Sequence, residues 1–142
     1  MESVSAPFVA AVCVFAFRGD RLLTLRRSPR NEAAPGAWEG ISGRIEAGEQ
    51  PEAAAVRETR EETGLEVRLQ PRPITAYRAQ RKQKDMLVVV YRAEAEGKAV
   101  TLSDEHDSSA WVTLEEFARL CPFPALVGAA RLAAQAGPEA PG

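Results

Sequence analysis

Gly43 to Leu65 reads GRIEAGEQPEAAAVRETREETGL, and the fold is decided on this stretch. Pro51 suits a first helical position, where its missing N–H is not needed. Glu52 sits at the positive end of the macrodipole, and Gly64 supplies the residue that ends a helix in the left-handed region. The spacing therefore predicts a helix over 51–63. At about 100° per residue, Glu58, Glu61 and Glu62 share an arc of about 100°. Val56, Thr59 and Thr63 fall on another side, which can face a core. Each like-charge pair at such spacing costs roughly 0.2–0.5 kcal/mol in a bare helix. A divalent cation among the oxygens reverses that cost, and Mg²⁺ is the natural candidate because it prefers carboxylate ligands and keeps several waters. A solvated acidic face, balanced by Arg57 and Arg60, is the plain alternative when the three glutamates are taken alone.

Outward from this helix the chain reads as one mixed α/β domain over 1–142. Phe8 to Phe17 (FVAAVCVFAF) is apolar throughout, as expected of a strand buried on both faces. A turn at Arg18-Gly19-Asp20 leads into a returning strand, Arg21 to Arg26. Ser28 to Ala37 holds two prolines and a glycine and is a loop. Trp38 to Glu49, with Gly40, Gly43 and Gly48, is a short strand and a tight turn. Leu65 to Leu69, Ile74 to Ala79 and Met86 to Ala93 are further strands. A short strand, Ala110 to Val112, enters a helix at Leu114 to Leu120, whose start carries the capping box Thr113 and Glu116. Pro124 to Gln135 is a last helix, and 136–142 a disordered tail.

Composition removes several classes. With 45% hydrophobic and 27% charged residues, the 142-residue chain is neither disordered nor fibrous. Eighteen basic against twenty acidic residues leave a net charge of −2, too small a field to grip nucleic acid broadly. The longest apolar run falls well short of a membrane span. Met1-Glu2-Ser3 carries an acid and no basic region, which argues against a secretory signal. Cys13 and Cys121 are read as reduced thiols in a cytoplasmic protein. Two copies pairing is left open: the Met86 to Val90 strand either pairs with a partner copy or is buried.

The spacing as a whole resembles the Nudix hydrolase signature, GX5EX7REUXEEXGU, with U a bulky aliphatic. Gly43, Glu49, Arg57, Glu58, Glu61, Glu62, Gly64 and Leu65 occupy its positions, and Thr59 stands where an aliphatic is expected. Upstream, Arg26-Arg27 and Pro35-Gly36-Ala37-Trp38 resemble the family's basic pair and P-G-x-W. Ile41-Ser42 replaces its Pro-Gly before the signature. The resemblance implies the Nudix fold, an α/β/α sandwich with a mixed β-sheet and the Nudix loop-helix.

It also implies a metal-dependent hydrolase that cleaves the diphosphate linkage of a nucleoside diphosphate derivative, with Mg²⁺ or, in substitution, Mn²⁺. By resemblance the metal is held by Ser42 (through its backbone carbonyl), Glu58, Glu61 and Glu62. Gly43, Glu49 and Arg57 support the site. The general base is a glutamate of the signature, Glu61 or Glu62, or a loop residue, for which Glu105 is the candidate. His106, the single histidine, is read as exposed and idle in that loop. Arg26 and Arg44 are the phosphate contacts and Trp38 a stacking surface. Arg78, Arg81, Lys82 and Lys84 are read as a solvated hairpin tip. A nucleoside triphosphate is the default substrate; a nucleotide sugar, a dinucleoside polyphosphate and an RNA 5′ end are the other classes. The proline that goes with ADP-ribose cleavage, about sixteen residues past the signature, is Arg81 here. The competing expectation is a catalytically silent Nudix-fold module that binds a nucleotide without cleaving it.

Overall fold

The first strand explains the rest of the architecture. In the computed structural model, which describes residues 8–138, β1 spans Phe8–Arg18 and is buried from Ala11 to Phe17. Its side chains alternate between two cores. Ala11, Cys13, Phe15 and Phe17 enter one, while Val12, Val14 and Ala16 enter the other. A strand with helices on both faces has no solvent side, and this is why its sequence shows no polar alternation.

β1 is followed by β2 (Arg21–Arg27), β3 (Trp38–Glu39), β4 (Ile41–Arg44), α1 (Pro51–Thr63), β5 (Val67–Leu69), β6 (Thr75–Arg81), β7 (Lys84–Ala95), β8 (His106–Val112), α2 (Leu114–Leu120) and α3 (Pro124–Ala136). β7 lies parallel to β1, from Phe8 opposite Asp85 to Phe17 opposite Glu94. β4 and β2 lie antiparallel to β1 on its other edge. β6 and β5 share the far edge of β7, and β8 and β3 pair with β2. The sheet is therefore mixed. α1 packs on one face through Ala54 and Ala55, and α2 and α3 on the other through Phe117, Leu126 and Ala130. The α/β/α sandwich expected from the sequence is the observed fold.

α1 runs over the expected residues, and Gly64 closes it at φ 72° with its N–H donating to the Arg60 carbonyl. Thr59, in the aliphatic position of the signature, is fully buried and donates its hydroxyl to the Ala55 carbonyl at 2.8 Å. It packs inward and satisfies its one polar group within the helix, so the departure costs no exposed or orphaned hydroxyl. Val56, expected inward, is only half-buried, because the arc centred on Ala55, Glu62 and Thr59 takes the core. α2 starts as expected, with the Thr113 hydroxyl accepting from the Glu116 N–H.

One strand differs from the sequence reading, and another takes one of the two courses left open for it. β8 begins at His106, four residues before Ala110, because pairing with β2 carries it through Asp107-Ser108-Ser109. Those residues favour turns in isolation, and the pairing overrides them. The Met86–Val90 stretch lies between β1 and β6, paired on both edges, so that strand offers no free edge to a second copy. The tail reading meets α3 as far as Ala136; its residues 139–142, like Met1-Glu2-Ser3, lie outside the described residues. No helix among the described residues is long and apolar enough to cross a membrane.

Candidate active site

Three strands and one helix converge on a buried polar knot. A register shift between Arg26 and Arg27 sets Arg27 opposite His106 across the β2–β8 pair, while β3 brings Glu39 opposite Leu25. Glu39, 4% exposed, accepts from Arg27 Nη1 at 3.0 Å and lies 2.8 Å from His106 Nε2. On the other side of the imidazole, Nδ1 stands 3.7 Å from Glu62 Oε1. Glu62 belongs to α1 and is 2% exposed. The expectation of an exposed, idle His106 is thus corrected: it is 4% exposed and joins β3 to α1.

The Glu62 carboxylate is the anomaly of the molecule. Neither of its oxygens meets an N–H or hydroxyl donor among the described residues, its near neighbour being the like-charged Glu58 carboxyl, and His106 Nδ1 has no partner either. Burial, followed by the Glu58 and Glu105 carboxylates, pushes Glu62 well above the usual carboxylate range. Burial also raises Glu58, against the pull of Arg57. An orphaned buried polar group costs about 1–3 kcal/mol, and a charged one more. That outweighs anything a surface charge pair contributes, so the solvated-face alternative fails at Glu62.

Behind the carboxylates, Arg57 fixes the loop that leads into α1. Its Nε donates to Glu49 Oε2 at 2.8 Å, and its Nη2 to Glu49 Oε1 at 3.0 Å and to the Arg44 carbonyl at 2.9 Å. Nη1 reaches Glu58 at 2.8 Å and Glu61 at 3.2 Å. This bonding holds Glu49 down at about 2. Gly43 lies directly under Glu58, and a Cβ there would run into the carboxylate. Glu61 is on the outer side of Arg57, with a side chain 57% exposed.

Ser42, Gly43, Arg44, Glu58 and Glu105 line one end of a cleft of about 1020 Å³. Its floor is apolar, with Tyr77, Met86 and Val88 from the sheet and Phe123 and Leu126 from the start of α3. Another wall is the β6–β7 hairpin, whose turn residues Lys82 and Gln83 take φ 51° and 66°. Arg78, Arg81, Lys82 and Lys84, read from sequence as a solvated tip, line this wall. Lys82 pairs with Glu32 at 2.6 Å and Arg78 with Asp85 at 2.9 Å. Arg81 and Lys84 make no ion pair among the described residues.

Of the expected phosphate contacts, Arg44 lines this cleft. Arg26 instead binds Asp107 at 2.8 Å, faces a separate hollow with Pro29 and Pro35, and holds its guanidinium 5.9 Å from the Trp38 ring. Sequence reasoning missed Glu39 and the inward His106, and read Arg27 only as one of a basic pair.

The donor set suits a hard divalent cation: clustered carboxylates with free oxygens at the end of an open cleft. Glu62, Glu105 and His106 offer ligand atoms within 4.8 Å of one another.

The family model for the NUDIX domain matches residues 7–131. The chain belongs to the Nudix family. This Nudix chain is 34% identical over 137 residues to the octanoyltransferase of Myxococcus xanthus, covering 88% of the chain and 37% of that protein. It is 35% identical over 124 residues to the NAD-capped RNA hydrolase NudC of Pseudomonas aeruginosa, covering 85% of the chain and 41% of that protein. The chain thus spans about two fifths of the length of these curated relatives. Its fold superposes on the MutT protein of Methanosarcina mazei with a TM-score of 0.82 at 23% identity, over 96% of this chain and all of that one.

Proposed function

We propose that this chain is a divalent-metal-dependent hydrolase of the diphosphate linkage in a nucleoside diphosphate derivative, a nucleoside triphosphate by preference. One observation carries the reading: Glu62 is buried with no donor group at either oxygen, beside Glu58, which lines a cleft that basic residues of the hairpin also line. The P. aeruginosa relative's name, a hydrolase of NAD-capped RNA, supports a substrate joined through a diphosphate.

Glu58 and Glu62 are the central ligands in this reading, with the Ser42 carbonyl beside them and Glu61 holding a further ion or its water shell at the rim. Mg²⁺ is the resident ion, with Mn²⁺ as substitute. When bound, the ion neutralises phosphate oxygens and lowers the pKa of a water. Glu49 and Arg57 keep the loop and α1 in register, a support of the kind that tunes ligand geometry. Glu105 is exposed beside the cleft, and its carboxylate makes no hydrogen bond among the described residues, which leaves it free to take the proton of the attacking water.

Substrate phosphates meet Arg44, Arg81 and Lys84, and the base lies on the floor of Tyr77 and Phe123. Arg26 faces another hollow, so this reading moves phosphate contact from Arg26 to the hairpin. Two buried, unpaired thiols support a cytoplasmic setting for this Nudix domain.

The test is a panel of nucleoside triphosphates, nucleotide sugars, dinucleoside polyphosphates and 5′-capped RNA, incubated with Mg²⁺, Mn²⁺ or chelator and resolved by chromatography. Ion-dependent cleavage between phosphorus atoms supports the reading. Saturable binding with no product in either metal returns the chain to a nucleotide-binding module.

A further inference from the structure

His106 is chemically prepared in a way that the carboxylate cluster does not require. Glu39 Oε2 accepts from Arg27 Nη1, and a carboxylate held by a guanidinium accepts rather than donates. The imidazole nitrogen 2.8 Å away, Nε2, therefore carries the proton, a tautomer assigned from this network. In the neutral ring Nδ1 is then a bare lone pair. It has no hydrogen-bond partner, its side chain is 1% exposed, and it points at a carboxylate oxygen 3.7 Å away that meets no donor either. A carboxylate that orients one ring nitrogen so that the other can bind a metal is the usual support of a metal-ligating histidine.

We propose that His106 Nδ1, with Glu62 and Glu105, forms a mixed nitrogen–oxygen position for a divalent transition ion, set beside the all-oxygen position expected at Glu58 and Glu62. This rests on the hydrolase reading above and adds a ligand and a preference to it. Metal–ligand bonds of about 2.1 Å put two ligands of one ion about 3 to 4 Å apart. The Nδ1–Glu62 distance falls in that range. The third atom is one carboxylate oxygen of Glu105, already within 4.8 Å of the other two ligand atoms, which leaves its second oxygen for the proton of the attacking water. Imidazole suits Co²⁺ and Zn²⁺ well and is accepted by Mn²⁺, whereas Mg²⁺ keeps to oxygen and water. The two positions therefore differ in which ion they prefer, and Glu62, shared by both, couples them.

A plain structural role for His106, holding β8 against β3, predicts no nitrogen on the metal. The chain has one histidine, so an untagged protein gives an unambiguous readout. Mn²⁺-loaded protein is examined by pulsed electron paramagnetic resonance, with unlabelled and ¹⁵N-histidine samples. A directly bound imidazole coupling that changes with the label is expected. In His106→Asn, Mn²⁺ and Co²⁺ affinity falls about 10–100-fold while Mg²⁺ affinity changes less than threefold. Bound Mn²⁺ without nitrogen coupling overturns the inference and leaves the hydrolase reading intact, as does equal weakening of Mn²⁺ and Mg²⁺ in a folded variant. No Mn²⁺ bound at all overturns both. The wild-type spectrum decides the matter if the variant does not fold.

Discussion

Arg57 holds Glu49 with both edges of its guanidinium, Nε to Oε2 at 2.8 Å and Nη2 to Oε1 at 3.0 Å. The pair ties the loop after β4 to α1, and the same guanidinium touches Glu58 and Glu61. A lysine has the charge without the fork, so Arg57→Lys is not conservative at such a site. It is expected to weaken metal binding and lower the rate about 10–100-fold while the fold persists. Metal titration of the rate, with circular dichroism as control, checks this. An unchanged metal dependence removes Arg57 from the account.

Gly43 gives a steric test that leaves every charge in place. Gly43→Ala sets a methyl against the Glu58 carboxylate, which must turn away. The backbone at this glycine is not in the left-handed region, so the fold tolerates alanine. A rate loss of about 10-fold or more with a melting temperature near wild type is the expected outcome.

Metal-free protein should carry the signature of a buried carboxylic acid. Glu62 is raised by burial, then by Glu58 and Glu105. The unfolded chain releases this proton near 4.5, whereas the folded chain keeps it to a much higher pH. Over that interval the folded state binds more protons, so stability falls as pH rises. Melting temperature in chelator should therefore decline from mildly acidic pH through neutrality. Glu62→Gln, which cannot ionise, flattens the slope. Mg²⁺ stabilises wild type increasingly as pH rises and does little for the variant. Equal slopes in chelator contradict the assignment.

The hairpin wall is tested by charge removal that leaves the carboxylates in place. Arg81→Ala combined with Lys84→Ala should raise KM about 10-fold for a triphosphate and leave kcat within about threefold. It should also reduce the dependence of kcat/KM on ionic strength. Kinetics at low and high salt measure both.

The sequence makes the fold legible wherever its cause is local. Pro51 and Gly64 bound α1, the unbroken apolar run of β1 announces two covered faces, and Thr113 with Glu116 starts α2. The carboxylates of the helix are legible because their spacing is helical. What stays hidden is built from strand pairing over long separations. Glu39 and His106 are 67 residues apart, and a register shift beside Arg27 brings them together. Neither residue sits in an apolar pattern that marks it as buried. The basic hairpin was legible as a turn, but that it walls a cleft follows only once β6 and β7 lie beside β1. Arg26 and Arg27 show the same limit: adjacent in sequence, they point to opposite sides of a strand, Arg27 into the knot and Arg26 toward Asp107.

The central claim is that Glu62 is buried so that a divalent ion can use it against a diphosphate. Single-turnover cleavage of a nucleoside triphosphate, in Mg²⁺, by wild type and Glu62→Gln at equal fold content tests it most directly. The account predicts cleavage by wild type that chelator abolishes, and a rate at least about 1000-fold lower in the variant, of the order lost when a transition-state charge contact is removed. Cleavage at similar rates by both proteins would contradict it.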